Sequence, residues 1–71
     1  MPWYRVRYVH GPNSTLVVSD WEDVRAESLD AALAQKTAWP VEKNIHGTSA
    51  WAKHPGQSLY HIEAWEAELI R

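Results

Sequence analysis

Hydrophobic and polar residues alternate over residues 3 to 10, with Tyr4, Val6 and Tyr8 on one side and Trp3, Arg5, Arg7 and Val9 on the other. That period of two marks a half-buried strand. Gly11-Pro12-Asn13-Ser14 is a dense turn signal, and the β-branched run Thr15-Leu16-Val17-Val18 follows it, so the two runs are predicted to pair as a hairpin. Leu16, Val18, Val24 and Ala26 share a parity, which permits one long strand over residues 15 to 26. Asp20 and Glu22 interrupt its apolar side, so the strand is expected to bend, bulge or run past the edge of the core there.

Ser28 is a good helix N-cap, Asp30 falls in the first turn where a negative charge suits the dipole, and Leu29-Ala31-Ala32-Leu33-Ala34 have high helix propensity. The helix is predicted to end near Ala38, because Trp39 precedes Pro40. Residues 40 to 47 read as a connection with room for one helical turn before Gly47 reverses the chain. His54-Pro55-Gly56-Gln57 carries Pro and Gly at the central positions of a type II turn, so residues 49 to 54 and 59 to 65 are predicted to form a second hairpin. A rival reading caps a helix at Ser58 and places Leu59, Ile62, Trp65 and Leu69 along one side. The alternation of Tyr60, Ile62 and Ala64 with His61 and Glu63 favours the strand. The apolar parity switches at Trp65, which predicts a bulge or the end of that strand. The expected fold is α+β: a β-β-α-β-β antiparallel sheet with one short helix packed on one face and the other face left to water or a partner.

With 71 residues the chain is a single domain near the lower limit of independent folding, and it has no cysteine to staple it. Its 45% hydrophobic and 23% charged residues suit a globular domain. No apolar run approaches a membrane span, and Met1-Pro2-Trp3-Tyr4 does not resemble a secretory signal, so a cytoplasmic location is expected. The net charge of -2 removes the general electrostatic basis for binding nucleic acid or anionic lipid. The 5 Trp and 3 Tyr with no Phe mean that every aromatic ring carries a polar handle. Such rings suit interfaces, and one or two of the Trp are expected at the surface.

Little of this is catalytic. His54 and His61 flank the second turn with Glu63 nearby, but His10 and His46 show no spacing that would complete a zinc site. No serine sits in a G-x-S-x-G turn and no glycine loop could cradle phosphate, so neither an enzyme, a metal nor a cofactor is expected. Charge distribution says more. Residues 20 to 30 carry five acids against Arg25 alone, and Glu63, Glu66 and Glu68 form a second acidic run. The candidate protein-binding residues are therefore Asp20, Trp21, Glu22, Asp23, Glu63, Trp65 and Glu66, with carboxylates to steer a basic partner and indole rings to anchor it. An alternative places single-stranded nucleic acid on Trp3, Arg5 and Arg7, an aromatic with arginines on a strand face. The same face would also serve a homodimer.

Val24-Arg25-Ala26-Glu27-Ser28-Leu29 ends a strand and opens an alanine-containing helix, and His46-Gly47-Thr48 then leads into a hairpin. Over residues 22 to 52 this resembles small phage-encoded anti-CRISPR proteins that act on type I surveillance complexes. The resemblance implies a non-enzymatic inhibitor that docks on a nucleoprotein complex, acidic members occupying basic DNA-binding surfaces. The high Trp content departs from that pattern.

Overall fold

A computed structural model describes residues 1 to 12, 14 to 56 and 60 to 70. Among these, the strands are β1 (Trp3–Pro12), β2 (Val17–Val18), β3 (Glu22–Arg25), β4 (Val41–Lys43), β5 (Ser49–Lys53) and β6 (His61–Leu69), and the helix α1 (Leu29–Ala34) joins β3 to β4. The strands form one antiparallel sheet of order β2-β1-β6-β5-β4, with β3 beside β1 on the same edge as β2. The α+β fold with one helix on an antiparallel sheet is as the alternation predicts. No helix among the described residues is long and apolar enough to cross a membrane.

Several local expectations are corrected. The run over residues 15 to 26 is two short strands: Val17 and Val18 pair with His10 and Val9, and Glu22 to Arg25 pair with Val6 to Trp3. The break falls at Ser19-Asp20-Trp21, where the Ser19 hydroxyl accepts from the Tyr8 N–H at 2.8 Å in place of a backbone partner. The helix stops at Ala34 rather than Ala38, its last turn tightening as the Gln35 and Lys36 N–H groups donate to the Ala32 and Leu33 carbonyls. Residues 41 to 43 are a strand rather than part of a helical turn. β4 pairs with β5, and the Asn44 side chain closes the connection by accepting from the Thr48 N–H at 2.9 Å, with Gly47 at φ 69°. Finally, β6 neither bulges nor ends at Trp65; its register with β1 is unbroken from Tyr4 opposite Leu69 to Pro12 opposite His61. The second hairpin forms between β5 and β6, but Gly56 lacks the positive φ that the third position of a type II turn requires. The expected strand start at Leu59, the rival helix cap at Ser58, and Asn13 and Gln57 of the two turn motifs lie outside the described residues.

Register sorts the side chains into two faces. Tyr4, Val6, Val24, Ala50, Ala52 and Ala67 share the face on which α1 lies, and with Ala26 they bury Leu29, Ala32 and Leu33. The alanines decide how close the helix can sit. Ala26, Ala32, Ala50, Ala52 and Ala67 are each at most 2% exposed, and Leu33 and Val6 are the largest fully buried side chains. Ser28 caps α1 as expected, its hydroxyl accepting from the Ala31 N–H at 3.1 Å. Six helical residues span about 9 Å, whereas a nine-residue strand spans about 30 Å. Much of this face therefore lies beyond the helix, and aromatic rings cover part of it. Tyr8 stacks on His10 with centroids 5.2 Å apart and leans on Trp65 at 5.1 Å.

Candidate functional site

Among the described residues no helix covers the opposite face of the sheet. Reading outward from β6, its side chains fall in rows set by the register: Glu68 beside Arg5 and Asp23, Glu66 between Arg7 and Trp51, and Ala64 between Val9 and Lys53. The first two rows are polar. Arg5 donates to Glu68 at 3.0 Å and Arg7 to Glu66 at 3.2 Å, while the Trp51 indole N–H reaches the other Glu66 oxygen at 3.4 Å. Trp21 leaves the strand break and lies against both arginines, their guanidinium carbons 4.4 and 4.2 Å from its ring centroid. The ring shields Arg7 Nε, which is buried without an acceptor. Lys53 pairs with Glu42 at 3.5 Å and approaches the Trp51 ring, and Arg25 lies over Trp3. Among the described residues the face thus carries, with Asp23, four cations and four carboxylates.

Beyond the polar rows, around Val9 and Ala64, the face is mainly apolar. Val9 and Ala64 floor an open groove of about 290 Å³, walled by Leu16 and Ile62 on one side and by Trp51 with Lys53 and Glu66 on the other. The floor is buried, but Leu16 is 44% exposed, Val18 47% and Trp51 42%. This groove is the physical meaning of the parity switch in β6. Ile62 and Ala64 turn their apolar side chains to the open face, and beyond Trp65 the apolar residues turn to the helix.

The sequence-derived candidates are divided between the faces. Trp21, Asp23 and Glu66 are on the open face with Trp3, Arg5 and Arg7, and Asp20 is exposed in the break between β2 and β3. Glu22, Glu63 and Trp65 point the other way. Glu22 pairs with Lys36, Glu63 accepts from the Tyr8 hydroxyl at 2.7 Å, and Trp65 is half-buried against the core. The bond to Glu63 raises the Tyr8 pKa above its ordinary value, helped by desolvation and by that carboxylate's charge. Among the described residues Asp20, Asp23 and Glu27 make no ion pair. No group of three His, Asp or Glu converges as metal ligands among them. His54 instead accepts from the Gly56 N–H at 3.0 Å and meets the edge of Trp39.

Trp51, Leu16, Val9, Ile62 and Ala64 were not legible as a site from residue types alone. One signal pointed to Trp51: in Ser49-Ala50-Trp51-Ala52-Lys53 the alanines take one side, so the indole must take the other. Comparison of the chain with protein families, with characterised proteins and with solved structures returns no match.

Proposed function

We propose that the protein is a non-enzymatic protein-binding module that docks through the open face of its sheet. The observation that carries this reading is the exposed apolar end of that face, where Leu16 and Trp51 wall a groove with a buried floor and Val18 stands exposed opposite Val9. Antiparallel sheets tolerate one wet face, but that face is then ordinarily polar. A contiguous apolar patch rimmed by charges, with an indole on its wall, instead suits a protein interface. Among the described residues Asp20, Asp23 and Glu27 are carboxylates outside ion pairs, in or next to β3. They favour encounter with a basic partner, and inhibition of a basic nucleic-acid-binding complex, as the anti-CRISPR resemblance implies, is the version of this reading that uses them. The nucleic-acid alternative is weaker, because Arg5 and Arg7 are already engaged by Glu68, Glu66 and Trp21.

The test is site-specific photo-crosslinking in the cell that makes the protein. A photoreactive residue at Trp51 is expected to give a discrete adduct, to another protein or to a second copy, whereas one at the helix-borne, exposed Ala34 gives none. Equal labelling from both positions refutes docking through the open face.

A further inference from the structure

We propose that the open face is an interface between two copies of this chain. The inference rests on the docking reading of that face and names its occupant. Size is the first argument. The molecule measures 36 × 22 × 21 Å. A ten-residue strand spans about 33 Å and the strands beside it are spaced by about 4.8 Å, so the two larger dimensions are those of the sheet. Their product, about 800 Å², is the outline of the whole molecule and so an upper bound on the face, on the scale of the area each partner contributes to a standard stable interface. A second copy has a face of that size and outline by construction.

Charge is the second argument. A face with an excess of one sign would repel its own copy. Among the described residues this one holds as many cations as carboxylates, and Arg5, Arg7 and Lys53 are already paired with Glu68, Glu66 and Glu42. Two copies can therefore bring the ion-pair rows and the groove together without net repulsion. The apolar groove supplies the driving force, since Leu16, Ile62 and Trp51 of each copy lose water against the other. The product is a four-layer particle with the helices outside and the sheets stacked about 10 Å apart.

Sedimentation equilibrium on the purified chain from 1 µM to 1 mM tests this. The wild type is expected to shift reversibly from the monomer mass of 8.2 kDa to twice that mass. Trp51→Glu and Leu16→Glu are each expected to raise the dimer dissociation constant at least tenfold, and Ala34→Glu to leave it within twofold. Circular dichroism confirms that each variant is folded. A wild type that stays monomeric at 1 mM overturns the proposal, and so does a dimer unaffected by both open-face variants. A monomer that still gives an adduct to a different protein from position 51 refutes self-association but leaves the docking reading standing.

Discussion

Replacing Trp21 with alanine separates an anchored surface ring from a core residue. In the structure the ring is half-buried and outside the core cluster, and its contacts are the guanidinium groups of Arg5 and Arg7 at 4.4 and 4.2 Å from its centroid. Each such contact contributes about 0.5 to 1 kcal/mol at an exposed site. One effect opposes this loss. Arg7 Nε is buried and lacks an acceptor, and removing the indole that covers it lets water satisfy a group whose burial costs about 1 to 3 kcal/mol when unpaired. Lost ring burial adds to the first term and this release subtracts, so the expected net destabilisation is about 1 to 2 kcal/mol. For a domain of this size each kcal/mol lowers Tm by about 4 to 8 °C. Thermal melts by circular dichroism should therefore show a drop of roughly 5 to 15 °C, with a cooperative transition retained. The double variant Trp21→Ala/Arg7→Met should lose less than the sum of the two single changes, because the ring and the guanidinium share one interaction. A loss of about 4 kcal/mol would refute the reasoning, since only a core Trp costs that much. Strict additivity in the double variant would equally refute it.

Two further outcomes follow from the core and from the Tyr8 phenol. Ala52 is fully buried beneath α1, so Ala52→Leu should overfill the space between helix and sheet and cost about 1 to 3 kcal/mol, measured by urea denaturation; an unchanged midpoint would mean that α1 is not held close to the sheet. Tyr8 has a folded pKa above its unfolded value of 10.0 because its hydroxyl donates to Glu63. A raised pKa contributes stability that is fully present below the unfolded value and is lost as pH rises through the folded one. The wild type should therefore lose stability above about pH 10 more steeply than Tyr8→Phe, in melts taken across pH 9 to 11; parallel curves for the two proteins would refute the bond's role.

Local chemistry determined a good deal of this protein. The alternation over residues 3 to 10, the Ser28 cap and the Pro55-Gly56 turn each act through contacts a few residues long, so β1, the start of α1 and the β5-β6 hairpin were all readable from residue order. The face on which Trp3, Arg5 and Arg7 stand followed from the same period of two. What only the tertiary structure decided depends on which strands become neighbours. β4 has three residues and exists because Ala50 to Ala52 offer it a ladder and the core accepts Val41. The parity switch at Trp65 looked like a defect within one strand. In the sheet it is two apolar surfaces sharing one strand, one half of β6 buried under α1 and the other flooring the open groove with Val9. The carboxylates followed the same logic. Near one another in sequence, Glu63 and Glu66 lie on opposite faces, one fastened to Tyr8 and the other to Arg7 and Trp51. Charge runs along the chain say how many acids there are, but strand pairing across the sheet decides which of them a partner meets.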